Sequence, residues 1–270
     1  MRSLVFPAVA MLAVLDTPAI CEEATSKPLE VEGPSFSLSS GVDYSSGKYG
    51  QPQSTDIVVG LTNLTVTTGS LQFGASMPYL NIVGPAYVVI GATGLPVVIN
   101  PKAGTGGTER SGWGDLNLSA TYTLPSGILD DFDLSLTGRT KIATANSAKG
   151  LTSGATDFAF SFDVSRQFDN WGPFVTFGYT VPGNPSFYAF NDAPSFSIGS
   201  SLQLNESFVV IASYDFDGSI SSTLADAQQL FTSASWLLND RWSFTVYAEK
   251  GLSSGAPQIG TGLLISWKLL

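Results

Sequence analysis

The chain has 270 residues, 43% of them apolar and only 13% charged, with a formal net charge of −10, a single cysteine and no histidine. Without histidine there is no imidazole acid–base relay and no His-based zinc site, and one cysteine makes neither a disulfide framework nor a thiolate cluster. The acidic balance excludes a nucleic-acid partner, which would require a basic footprint.

Residues 1–21 read as an export signal. Arg2 supplies a basic start, Leu4 to Leu15 is apolar apart from Pro7, and small residues follow. Cleavage after Ala19 or after Cys21 satisfies the small-residue rule, and Ile20 is too large to make Cys21 a good lipidation site. The apolar run is too short to span a bilayer as a helix. Residues 22–34 then form a short segment ahead of the first strand, on the periplasmic side, and 35–270 form the folded unit.

From residue 35 onward the chain alternates with period two, which marks strands with two different faces. Leu116, Leu118, Ala120, Tyr122 and Leu124 interleave with Asp115, Asn117, Ser119, Thr121 and Thr123. The same pattern recurs over 132–142, 157–165, 241–249 and 259–269. Twelve such segments are predicted, near 35–44, 54–66, 70–83, 113–124, 132–143, 154–167, 172–181, 194–204, 207–217, 226–237, 241–250 and 256–269. The second and tenth alternate poorly. Long connections (45–53, 84–112, 144–153, 182–193, 218–225, 251–255) take turns with short ones, so all long loops fall at one end of the sheet.

This is the layout of an all-β protein: a transmembrane antiparallel up-and-down β-barrel of about 12 strands, apolar outside and polar inside. Closure follows because lipid cannot satisfy a free sheet edge. The alternative is a secreted soluble β-sandwich, which alternates equally but needs large residues on its buried face and gives no reason for loop-length asymmetry. Tyr44, Tyr79, Tyr179, Trp236, Trp242 and Trp267 stand near strand ends, as interfacial girdles require. The expected surroundings are outer-membrane lipid in a Gram-negative bacterium.

Lumen-facing ionisable residues follow from the alternation: Asp43, Asp115, Asp133, Arg139, Lys141, Asp157, Asp163, Asp215, Arg241, Glu249 and Lys268. They either pair across strands and fill the lumen or set a transverse field that biases ion selectivity. Arg139 and Lys141, two residues apart on one strand face, are the candidate anion-facing ladder. Loop 84–112 is unusually apolar. Its residues Tyr87, Val88, Val89, Ile90, Leu95, Val97, Val98 and Ile99 would be costly to expose. They either fold into the mouth as a constriction or form a hairpin above the membrane that packs on neighbouring loops, the preferred arrangement.

The segment Arg110-Ser111-Gly112-Trp113-Gly114-Asp115-Leu116, followed by Leu118-Ser119-Ala120-Thr121-Tyr122, resembles a signature of the outer-membrane transporters of the phenol-degradation meta-pathway type. Tyr79 with Gly84-Pro85, Leu237 to Ser243, Lys250 to Ser253 and the closing Gly260–Leu270 strand fit as well. The resemblance implies an outer-membrane barrel passing small, often aromatic or hydrophobic, permeants. It departs at the end, Trp267-Lys268-Leu269-Leu270, where many such barrels carry a terminal aromatic residue. The expected function is a passive channel rather than an enzyme, with no cofactor and no metal. The alternative is a non-transporting structural or adhesion barrel. Gly104–Gly107 is not a phosphate loop, since no Lys and no helix follow.

Overall fold

The structure, a computed structural model, describes residues 33–85, 88–90, 96–98, 107–125, 128–129, 131–185 and 189–269. The proposed signal segment 1–21 lies outside them. The strands are β1 (Ser35–Gly47), β2 (Thr55–Thr68), β3 (Leu71–Ser76), β4 (Tyr79–Pro85), β5 (Val88–Ile90), β6 (Pro96–Val98), β7 (Gly107–Trp113) and β8 (Leu116–Thr123). They continue with β9 (Asp133–Ile142), β10 (Asp157–Ser165), β11 (Trp171–Val181), β12 (Ala193–Asn205), β13 (Phe208–Asp217), β14 (Ala227–Asn239), β15 (Trp242–Gly251) and β16 (Ile259–Lys268).

Fourteen of these form one antiparallel sheet, and a further β1–β2 pairing closes it on itself. β3 and β4 are two halves of one spanning strand, because both pair with β2, over Asn63–Thr68 and Asp56–Gly60. β7 and β8 are likewise two halves, pairing with β4 and β3. Fourteen less two gives a closed barrel of twelve spanning strands. The segments expected to run unbroken over 70–83 and 113–124 are therefore interrupted side by side. Pro78 has no N–H to give the ladder, and the Gly114 N–H donates instead to the Pro78 carbonyl at 2.7 Å.

The alternation sorts the two faces as a membrane requires. Leu38, Val42, Leu64, Phe73, Leu118, Leu136, Phe160, Val246, Leu263 and Ile265 are exposed on the outside, while Ser39, Asn63, Thr65, Thr137, Ser197, Ser201, Ser233 and Ser266 are buried inside. Aromatic rings gather at both ends of this band. At the turn end Trp242 and Trp267 stack with centroids 5.3 Å apart, and at the loop end Tyr79 meets Trp113 edge-on at 5.4 Å. Both termini of the described barrel lie at the turn end, where Ser37 pairs with Lys268.

Candidate functional site: the barrel lumen

A barrel of this size leaves its lumen to be shaped by side chains, and three regions of the wall differ in kind. The first is ionic. Lys141 on β9 stands in register with Asp157 on β10, and its Nζ lies 2.8 Å from an Asp157 carboxylate oxygen and 3.0 Å from Asp115. Nζ also donates to Ser153 Oγ at 3.2 Å and to the Ala155 carbonyl at 3.1 Å. Asp115 in turn accepts from the Thr144 N–H at 3.0 Å, the Ala145 N–H at 2.9 Å and the Thr152 hydroxyl. Asp157 accepts from the Gly183 N–H at 2.8 Å. Each charge is thus paired and its remaining capacity used, the condition under which buried ions are tolerated.

The second region is apolar. Ile57, Val59 and Leu61 of β2, Leu80 and Ile82 of β4, Leu264 of β16 and Leu151 of the β9–β10 connection form one buried cluster, with Ile90 and Ala145 against it. Gly41 on β1 is in register with both Leu61 and Leu264, so the absence of a side chain there lets those residues join across it. The interior, expected to be polar, therefore carries an apolar stretch here. β2 alternates poorly because both its faces are apolar, Val58 and Leu64 pointing out and Ile57, Val59 and Leu61 pointing in.

The third region is acidic and aromatic. Tyr247 of β15 leans over Gly262 of β16, where a Cβ would come within 2.3 Å of its ring, and donates to Asp43 Oδ2 on β1 at 2.9 Å. Glu249 leans over Gly260 in the same way, with Oε1 1.8 Å from where a Cβ would stand. Phe231 of β14 is the cross-strand partner of Glu249 and packs on Tyr247 with ring centroids 5.8 Å apart. Asp215 accepts from the Ser197 hydroxyl and, at 3.2 Å, from Ser213.

Above these walls lies the β5–β6 hairpin, a two-stranded sheet separate from the barrel. Val89 packs with Phe190, Ala193 and Ile220, and Val88 with Tyr49 and Leu224. The hairpin leaves the barrel between the third and fourth spanning strands, whereas Ile220 and Leu224 lie between the ninth and tenth. It therefore reaches the opposite rim. Arg110 of β7 holds it: the guanidinium donates to the Val88 carbonyl, to Gly150 O at 3.0 Å and to Gly84 O at 3.3 Å. Tyr49 meets it from the β1–β2 connection, in a turn where Tyr49 and Gly50 both take positive φ (48° and 71°). Burial pushes the Tyr49 hydroxyl pKa up. Val88 and Val89 of the hairpin thus pack on residues of neighbouring loops, and the hairpin extends across the mouth.

Of the predicted site residues, Asp115, Lys141 and Asp157 come together, and Glu249 stands in the acidic wall. Arg139 and Asp163 are half-buried on β9 and β10. Asp133 and Lys268 are exposed at the turn-end tips of β9 and β16. Arg241 is on no strand face: it is exposed in the β14–β15 turn, because the strand begins one residue later than the alternation placed it. Tyr87, Leu95 and Ile99 lie outside the described residues, and Val97 and Val98 are described as backbone of β6. The sequence reading did not single out Arg110, Gln229, Phe231 or Tyr247 as lumen residues. For Phe231 the signal was the poor alternation of its strand, which places a large ring on the inner face.

Two solved structures share the fold. An outer membrane channel from Pseudomonas putida F1 superposes with a TM-score of 0.65 at 12% identity, over 91% of this chain and 100% of that one. The NanC porin superposes with a TM-score of 0.53 at 9% identity, over 86% of this chain and 100% of that one. At such identities the likeness concerns the fold, that of an outer-membrane β-barrel. No protein-family model matches the chain, and no curated protein matches it by sequence.

Proposed function

We propose that this protein is an outer-membrane channel for the passive uptake of small hydrophobic, including aromatic, compounds, delivered to the outer membrane of a Gram-negative bacterium by the signal segment at 1–21. The carrying observation is the apolar wall inside the barrel, Ile57, Val59, Leu61, Leu80, Ile82 and Leu264, with Ile90 of the β5–β6 hairpin against it. Beyond its packing on Leu151 and Ala145, such a wall gives a lumen serving only water and ions nothing. An apolar solute gains burial on it, at roughly 25 cal/mol per Å² removed from water. The hairpin acts as the constriction, bringing Val88, Val89 and Ile90 over the path. The motifs around Trp113 and Tyr122 support a place among transporters of the phenol-degradation meta-pathway type. Lys141 is committed to Asp115 and Asp157, so it fills the lumen rather than forming an anion ladder with Arg139.

The test is single-channel recording from the mature chain in a planar bilayer, joined to uptake by proteoliposomes of an aromatic alcohol against a sugar of similar size. Steady conductance steps and faster entry of the aromatic solute are expected, and deletion of 87–99 should raise the conductance. Absence of steps and of uptake would leave a structural barrel. Steps with no preference for the aromatic solute would remove the role of the apolar wall.

A further inference from the structure

The third wall contains a group that the proposed passage of neutral solutes leaves unused. Glu249 is 3% exposed, and neither of its carboxylate oxygens meets a hydrogen-bond partner among the described residues. Its charged neighbours are acids, Asp43 and Asp215. Gln229, two residues along β14 from Phe231 on the same face, is 1% exposed and leaves its Oε1 unpartnered as well. Lys141, the buried lysine of the lumen, is already held by two aspartates. A buried carboxylate without a partner is costly, and here it is arranged by construction: Gly260 is the space into which Glu249 fits, and Gly262 the space for Tyr247.

The surroundings specify what would satisfy it. The Glu249 oxygens and Gln229 Oε1 are acceptors without a partner, while the Tyr247 hydroxyl is given to Asp43 and the Tyr49 hydroxyl is the uncommitted donor nearby. Beside Asp43 and Asp215, the group that best satisfies Glu249 is cationic. The Phe231 and Tyr247 rings stand beside the carboxylate, and aromatic faces attract ammonium groups, more strongly as water is removed. A hard metal ion would need about six or more oxygen ligands in one shell, and among the described residues no group of three metal-binding side chains is gathered. Leu264, two residues beyond Gly262 on the lumen face of β16, joins this wall to the apolar one.

We propose that Glu249, Asp43, Gln229, Phe231 and Tyr247 form a lumenal binding site for a small organic ammonium ion bearing an apolar or aromatic body. The proposal deepens the channel reading, on which its role in transport rests, by giving the permeant a positive charge at one end.

The experiment titrates the detergent-solubilised mature protein with benzyltrimethylammonium, benzyl alcohol and benzenesulfonate, following binding by calorimetry, and then records the same probes in a bilayer. The ammonium ion is expected to bind more tightly than the alcohol, and the sulfonate not to bind. Glu249→Gln should weaken ammonium binding about tenfold, with benzyl alcohol unaffected. Gly260→Ala, which displaces the Glu249 side chain, should weaken it similarly. Heat-modified mobility on gels establishes that each variant is folded, and Asp43→Asn serves as the second acidic variant should either fail to fold. Equal binding of ammonium and sulfonate, or ammonium binding unchanged in the folded variants, overturns the site. Binding without conductance keeps the site and removes the channel, whereas conductance without ammonium binding does the reverse.

Discussion

Two buried acidic centres face the same lumen and are built in opposite ways. Around Lys141 the carboxylates of Asp115 and Asp157 are neutralised and also bonded by the N–H groups of Thr144, Ala145 and Gly183 and the hydroxyl of Thr152. Around Glu249 no cation among the described residues approaches, and two glycines are used to make space. The first centre joins β9, β10, the β8 approach and two long loops, so it acts as a structural joint. In the second, Tyr247 holds Asp43, but the Glu249 carboxylate meets no hydrogen-bond partner among the described residues and is free to be aimed at a solute. Complete bonding marks the scaffold, and incomplete bonding at equal burial marks the place where something external is accommodated.

The sharpest test of this contrast has the largest expected effect. Lys141→Ala leaves two buried carboxylates facing each other, and removing one partner of a buried ion pair costs about 3–5 kcal/mol. The folded form of this variant should melt well below the parent, read from circular dichroism in detergent. Replacing the set together, Lys141→Met with Asp115→Asn and Asp157→Asn, should recover most of the loss, since an uncharged set has no ion to strand. Glu249→Gln, at similar burial, should stay within about 1 kcal/mol of the parent or exceed it, because it removes a charge that no partner offsets. If Glu249→Gln destabilised the barrel as much as Lys141→Ala, the distinction between joint and site would fail.

The two centres also differ in how far they could be read from the chain. The fold was legible because alternation over β8–β10, β15 and β16 is strict and because long loops and tight turns take turns along the sequence. Where reading weakened, the cause is physical. β2 and β14 put large residues on both faces, Ile57 to Leu61 and Phe231 inward, so they lose the period that marks a one-sided strand. Pro78 breaks a ladder whose apolar pattern runs straight through the break. The face of each lumen charge could be assigned, but its partner could not. Lys141 meets Asp157 through register and Asp115 across the break between β7 and β8, and neither is encoded locally. Arg110 was visible only as part of a motif, since three of its acceptors are backbone carbonyls brought together by tertiary structure.

Arg110 provides the intermediate case, a bonded centre at the rim rather than in the wall. Arg110→Ala releases the carbonyls of Val88, Gly84 and Gly150 but leaves no charge stranded, because its acceptors are neutral. Loss of such charge-assisted bonds costs about 2 kcal/mol. The loss should be local, speeding amide exchange at Val88–Ile90 and adding flicker to single-channel currents, while the melting of the barrel changes little. A fall in global stability as large as that of Lys141→Ala would instead make the hairpin part of the barrel's core.

The smallest effect is expected at Arg241, and its smallness is informative. Read by alternation alone, Arg241 and Glu249 belong to one lumen set, yet the structure puts Arg241 in an exposed turn and Glu249 at 3% exposure beside two rings. In 1 M salt the screening length is about 3 Å, so a charge on an exposed turn exerts almost no field at the path. A charge against the lumen wall is shielded far less, because there is little room for counter-ions around it. Arg241→Ala should therefore leave the reversal potential of the channel under a KCl gradient, with about 1 M on the dilute side, unchanged and its stability within about 0.5 kcal/mol. Glu249→Gln under the same conditions should move the reversal potential toward lower cation preference. Equal shifts from both variants would mean that selectivity is set by the summed charge of the barrel rather than by the wall that Glu249 occupies.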